Sequence, residues 1–179
     1  MEPKIKVLGE LKLIGLSYYG DNKNMEIGKT WDVFNKKWCE FEKNYSTKKE
    51  ISFTWGSLED DKNNALKHGS YKIGEVCPGW CGNIDMKTGE FEYICAMLVE
   101  EIKDLPEGFV SKIVPPHKYL VFTHKGKLDS LKETYNFIYQ SWFPKSSVKA
   151  VTDYDIEWYD ERFKFGQDDS EFDIMIPIE

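Results

Sequence analysis

The sequence predicts an α+β fold: two β-α-β-β units joined into one curved antiparallel sheet, with two main helices on one face and a central groove. Three observations predict it. Two amphipathic helices share a pattern of apolar residues, similar strand pairs flank each helix, and both units close on a matching strand entry. The chain has 179 residues and is 15% aromatic and 41% hydrophobic, enough apolar material for a substantial core.

The first unit opens with two β segments, Lys4–Leu8 and Leu11–Tyr19, ending at Gly20. From Ile27 the apolar positions Ile27, Trp31, Phe34, Trp38, Phe41 and Tyr45 alternate steps of four and three. Lys29, Asp32, Lys36, Lys37, Glu40 and Lys43 fill the other face, the mark of an amphipathic helix. Strands are expected next at Tyr71–Val76 and Phe91–Val99. The second unit repeats the order with Phe109–Val114 and Tyr119–His124, separated by Pro115–Pro116. Its helix runs through Leu128, Leu131, Tyr135, Ile138 and Trp142 to a stop at Pro144, where a ring without an N–H ends the ladder. Strands at Tyr154–Tyr159 and Phe172–Ile178 complete it.

Overlaid, Ile27 meets Leu131, Trp31 meets Tyr135, Phe34 meets Ile138 and Trp38 meets Trp142. Gly89-Glu90-Phe91-Glu92-Tyr93-Ile94 likewise matches Ser170-Glu171-Phe172-Asp173-Ile174-Met175. Residues 1–179 are therefore read as a single domain: repeat one covers about residues 3–100, with an insertion near 46–69, and repeat two about 105–179. Neither unit buries a sheet face alone, so the two are expected to share one sheet, with a ligand groove between the helices.

Composition excludes several functions. The net charge is −7, and Arg162 is the only arginine, so direct nucleic-acid binding is not expected. No apolar run is long enough for a signal peptide or a membrane span, which predicts a cytoplasmic protein. Cys39, Cys77, Cys81 and Cys95 are too scattered for a disulfide scaffold, and His68, His117 and His124 do not cluster, so no metal is expected. P-loop and dinucleotide fingerprints are absent, and no cofactor is expected.

Ten carboxylates follow Thr152: Asp153, Asp155, Glu157, Asp160, Glu161, Asp168, Asp169, Glu171, Asp173 and Glu179. Nine are read as solvated surface. Glu157 stands apart because side chains alternate along Asp155-Ile156-Glu157-Trp158-Tyr159. Either Ile156 and Trp158 face the helices, leaving Glu157 in solvent, or Glu157 and Tyr159 do. In the second case a buried carboxylate sits beside Tyr159, under Tyr135, Tyr139, Trp142 or Trp38. Such a group either holds a proton or waits for a cation, which aromatic faces also attract. The residue matched to Glu157 in the first unit is Gly74, which leaves room at the groove centre.

Several segments together resemble the GyrI-like small-molecule-binding family, the effector-binding domain of AraC-type and MerR-type regulators. They are Asp104-Leu105-Pro106-Glu107-Gly108-Phe109, Tyr119–Gly126, Thr134–Tyr139, Asp155–Phe163 and Ile176-Pro177-Ile178. The resemblance implies a duplicated β-α-β-β fold, and a buried glutamate that contacts cationic aromatic ligands in multidrug-sensing members. It singles out Glu157, with Glu161, paired to Arg162, as second choice. Trp80, in an aromatic loop Cys77-Pro78-Gly79-Trp80-Cys81, and Tyr93 join the candidate ligand contacts. Trp31 and Phe34 are assigned to the core. The insertion, with its polar stretch Glu59–Gly69, is a departure from the family pattern that could cover the groove.

In regulators this domain is fused to a helix-turn-helix module, whereas here it spans the whole chain, which suggests a stand-alone member. The first functional expectation is binding or sensing of amphipathic, cationic aromatic compounds. The alternative that the resemblance implies is hydrolysis of cyclopropane-containing electrophiles by Glu157 and Tyr135, and a gyrase-inhibitor-like role ranks last.

Overall fold

Residues 1–42, 49–151 and 154–179 are described by the computed structural model. Tyr45, Lys43 and Asp153 lie outside the described residues. The chain runs β1 (Lys4–Leu8), β2 (Leu11–Gly20), α1 (Glu26–Phe41), β3 (Glu50–Gly56), α2 (Leu58–Lys62), β4 (Lys67–Lys72), β5 (Cys77–Gly82) and β6 (Phe91–Val99). It continues with β7 (Val110–Val114), β8 (His117–Lys125), α3 (Leu131–Asn136), β9 (Asp155–Tyr159) and β10 (Glu171–Ile178). The ten strands form one curled antiparallel sheet in the order β4-β3-β1-β8-β10-β9-β5-β6-β2-β7.

The duplication is visible in that order. Reading outward from the central β9–β5 pair, β10, β8 and β1 on one side match β6, β2 and β7 on the other. The units have exchanged their first strands: β1 pairs with β8 of the second unit, and β7 pairs with β2 of the first. Only Gly9 and Glu10 separate β1 from β2, yet these strands part to opposite halves of the sheet. Pro115–Pro116 makes the equivalent break between β7 and β8.

Both faces of the sheet are covered. Its concave face gathers Leu8, Leu13, Trp80, Ile94, Tyr119, Ile156, Trp158 and Met175. On the opposite face α1 lays Phe34 and Trp38 against Ile14, Leu16 and Cys95. Ile138, beyond α3, packs with Leu120, Phe122, Ile174 and Ile176. α1 touches β2 and β6, so each helix covers one half of the sheet and β9 and β5 run between them.

Three expectations are corrected. Tyr71–Val76 is not a strand: β4 stops at Lys72, and Gly74 turns the chain with φ 93. The strand is instead Cys77–Gly82, where Cys77–Cys81 was expected to be an aromatic loop, and it pairs with β9 on one side and β6 on the other. Pairing on both edges overrides the weak β propensity of Cys-Pro-Gly-Trp-Cys. The insertion does not cover the groove. It builds β3, α2 and β4 onto the sheet edge beside β1, where Phe53 and Tyr71 pack on the concave face.

Beyond α3 the second helix changes winding. A π-helical turn spans Phe137–Trp142, and Phe143–Lys145 form a 3-10 turn. α3 is anchored by His124, whose ring nitrogens lie 2.8 Å from Thr134 Oγ1 and 3.1 Å from the Lys127 carbonyl oxygen.

Candidate functional site

Strand β9 is buried on both faces. Ile156 and Trp158 point into the concave core, whereas Asp155, Glu157 and Tyr159 point to the helix side, each carboxylate residue 6% exposed. Across the central ladder Gly79 faces Glu157 and Cys81 faces Asp155. The glycine opposite the glutamate is thus Gly79, and Gly74 lies in the turn before the strand. Gly79 has a spatial duty: a Cβ there would lie 1.9 Å from the Tyr93 hydroxyl oxygen. Its absence lets Tyr93 reach across β5 from β6.

Four phenols close around the two carboxylates. Tyr93 donates to Glu157 Oε2 at 2.6 Å and Tyr159 to the same oxygen at 2.7 Å. From α3, Tyr135 Oη lies 3.0 Å from Glu157 Oε1 and 3.2 Å from Asp155 Oδ1. One turn on, Tyr139 donates to Asp155 Oδ2 at 3.2 Å. The Tyr135 and Tyr139 rings stack parallel with centroids 6.3 Å apart, and Tyr139 is 45% exposed at the outer edge. From α1, Trp31 sets its edge against Tyr159 at 5.6 Å and Tyr93 at 6.5 Å.

The electrostatics follow from burial. Desolvation, then the charge of Glu157, pushes the Asp155 carboxyl up to about 7, against hydrogen bonds from Tyr139 and Tyr135 that favour its anion. Burial, reinforced by the neighbouring carboxylate charge, holds the Tyr93, Tyr135 and Tyr159 phenols well above their ordinary range. The Cys81 and Cys95 thiols beside them are raised for the same reasons. Among the described residues no lysine, arginine or histidine pairs with either carboxylate.

Of the residues expected at the site, Glu157, Tyr159, Tyr135, Tyr139 and Tyr93 come together. Three do not. Trp80 lies on the concave face, under the Lys112 ammonium 3.6 Å from its ring, because the odd–even alternation of β5 sends it away from Gly79 and Cys81. Trp38 is buried in the α1 core, stacked on Phe34. Trp142, past the π-helical turn, packs on Phe122 and Phe143 and lines an open depression with Phe137, Ser141 and Lys145. Glu161 is exposed, and Arg162 pairs instead with Asp160 and Asp173.

Sequence reasoning missed Asp155, grouped with the solvated surface, and Trp31, grouped with the core. The signal was present in both cases. Asp155 shares a strand face with Glu157 two residues on, and Trp31 is the repeat partner of Tyr135. A second correction concerns Asp173, also read as surface. It is buried on the concave side with Lys6 at 3.4 Å, Arg162 at 3.0 Å and Thr123 at 2.8 Å. Burial alone would raise the Asp173 carboxyl, but those partners together hold it below its usual range.

No group of three or more His, Cys, Asp or Glu side chains among the described residues is placed to hold a metal ion. Likewise, no helix among them is long and apolar enough to cross a membrane.

Comparison with known proteins agrees with this architecture. The transcriptional regulator BrlR of Pseudomonas aeruginosa is 29% identical over 179 residues, which cover 99% of this chain and 56% of that protein. The chain therefore spans little more than half the length of this relative. The structure of SAV2435 bound to tetraphenylphosphonium superposes with a TM-score of 0.66 at 15% identity, over 100% of this chain and 94% of the other. A hydrolase from Listeria innocua superposes with a TM-score of 0.53 at 10% identity, over 99% and 92% of the two chains. At such identities the likeness is one of fold. The GyrI-like small molecule binding domain matches residues 1–179, and the chain belongs to that family.

Proposed function

We propose that the chain binds amphipathic aromatic cations at the Asp155–Glu157 centre without direct contact to nucleic acid. One observation carries this reading: two buried carboxylates are ringed by tyrosines and have no basic partner among the described residues. Uncompensated buried negative charge is costly. A desolvated cation supplies the missing counter-charge and gains ring-face attraction from Tyr93, Tyr135, Tyr139, Tyr159 and Trp31. Glu157 is the main counter-charge, since three phenols converge on it. Half-exposed Tyr139 and the Tyr135 stacked beneath it form the wall a ligand must part.

Tetraphenylphosphonium, the ligand named with the SAV2435 structure, is a suitable probe. At a hundredfold excess over its Kd, binding adds about 2.7 kcal/mol of stability, so the melting temperature of the wild type rises by several degrees. Glu157→Gln keeps the shape and removes the charge, and its melt stays put. Equal shifts in both proteins would remove Glu157 from the site.

A hydrolytic alternative rests on the same group set, because a carboxylate facing phenols can direct water while a phenol such as Tyr135 polarises a carbonyl. Multiple-turnover loss of a cyclopropane-containing electrophile, abolished by Glu157→Gln, would establish it.

A further inference from the structure

The Tyr135 hydroxyl carries one proton and faces two carboxylate oxygens, Glu157 Oε1 at 3.0 Å and Asp155 Oδ1 at 3.2 Å. It can donate to only one of them. Donation along the shorter contact, to Glu157, leaves the Tyr135 oxygen against Asp155 Oδ1 with no proton between them. Two bare oxygens at that distance in a buried site repel. The contact becomes a hydrogen bond when Asp155 holds a proton and donates it to Tyr135, giving a chain Asp155–H to Tyr135 to Glu157. Tyr139 supplies its own proton to the other Asp155 oxygen, and Tyr93 and Tyr159 both spend theirs on Glu157 Oε2. The hydrogen-bond geometry thus calls for one more proton than the phenols supply, so the resting site is a pair of carboxylates with a single negative charge.

We infer that Asp155 is a proton-gated second counter-charge: the site takes a ligand with two adjacent cationic centres by releasing one proton, and a ligand with one cationic centre without release. This inference rests on the proposed cation site. Two oxygens that share one hydroxyl lie close together, so the dication they match carries both charges within one compact group.

The surroundings agree. Asp155 is faced on its own strand by Glu157 and across the ladder from β5 by Cys81. Tyr93, Tyr159 and Cys95 surround Glu157, and Cys77 lies opposite Tyr159 on the same helix-side face. From the second helix Asp155 is faced by Tyr135 and Tyr139. Burial raises the phenols and thiols of this set, so all of them stay neutral near pH 7. The carboxyl of Asp155 is brought to about 7, and the exchangeable proton belongs to the carboxylate pair.

Two quaternary probes of nearly equal size separate the cases, and neither titrates. Benzylquinuclidinium carries one fixed charge, and N-benzyl-N′-methyl-1,4-diazoniabicyclo[2.2.2]octane carries two in the same cage. Calorimetric titration at pH 6 in two buffers of different ionisation enthalpy reads the protons exchanged. The dication releases about one proton and the monocation close to none. Dication affinity climbs about tenfold per pH unit up to the Asp155 value and then levels, while monocation affinity changes less than threefold. Asp155→Asn copies the protonated form: it removes the dication's advantage over the monocation and abolishes proton release.

Equal proton release with both probes, or an Asp155→Asn loss equal for both, overturns the inference. If Glu157→Gln still abolishes monocation binding in that event, the cation site stands without it. Failure of the wild type to bind either probe overturns both. The wild-type proton count needs no variant, so the test survives a misfolded Asp155→Asn protein.

Discussion

Asp155 sits two residues before Glu157 on one strand, and desolvation, then the charge of Glu157, raises its carboxyl. Its folded value of about 7 lies above the ordinary carboxylate range, so its contribution favours the folded state at acid pH and fades as pH rises through about 7. The free protein should therefore lose roughly 4 kcal/mol from this group between pH 4 and pH 8. Asp155→Asn should show a flatter profile, and urea unfolding across that range compares them. A steeper loss in the variant would mean that Asp155 is not the group responsible. Strand alternation left Glu157 open between solvent and the helix side, and the family resemblance singled it out. Asp155 shares that strand face, but at the start of the strand, beside the chain's acidic tail, it reads as one more surface charge.

At the level of elements, the centre of the site is the β5–β9 ladder. Trp80, opposite Ile156, occupies the pseudo-twofold position of that ladder and points to the concave side. Its neighbours Gly79 and Cys81 face the helices, and the space over Gly79 is taken by the Tyr93 hydroxyl that donates to Glu157. Gly79→Ala should lower stability by about 1–3 kcal/mol, because the added methyl and the Tyr93 hydroxyl claim the same space. It should also weaken tetraphenylphosphonium binding by displacing a donor from Glu157. Denaturant titration combined with a binding isotherm checks both, and an unchanged isotherm would detach Tyr93 from the site. The helices were readable because their 3–4 spacing is a local property. β5 was not, since Pro78 and Gly79 carry no strand signal and only two flanking partners make the segment a strand. The same limit applies to Trp142. Helical spacing places it on the face of Ile138, and only the π-helical turn and the Phe122 contact decide where that face points.

Across the whole molecule, neither half of the sheet is built from one continuous half of the sequence, because β1 and β7 are exchanged. Charge also divides by face. The helix side holds the unpaired carboxylates. The concave side holds Lys6, which is buried, donates to the Tyr71 hydroxyl at 2.6 Å, lies 5.2 Å from the Phe53 ring centroid and pairs with Asp173. Lys6 comes from the exchanged strand β1 and Asp173 from β10, so this ion pair ties the first unit to the second. Asp173→Asn should cost roughly 3–5 kcal/mol by stranding a buried ammonium, measured by thermal or urea unfolding. Combining it with Lys6→Met should recover part of that loss. A fully additive double variant would show that the two groups do not act as a pair.

By itself the sequence determined the elements with strong local periodicity: both helices, most strands and the duplication. These depend on the 3.6 and 2.0 residue repeats, which neighbouring residues encode. Tertiary structure alone decided that both faces of β9 are buried, that the Tyr93 hydroxyl fills the space over Gly79, and that Tyr135 spans two carboxylates. It also decided which strands were exchanged between the units. The reason is physical. Burial, pairing partners and shared protons are properties of residues far apart in the chain, and no local pattern carries them.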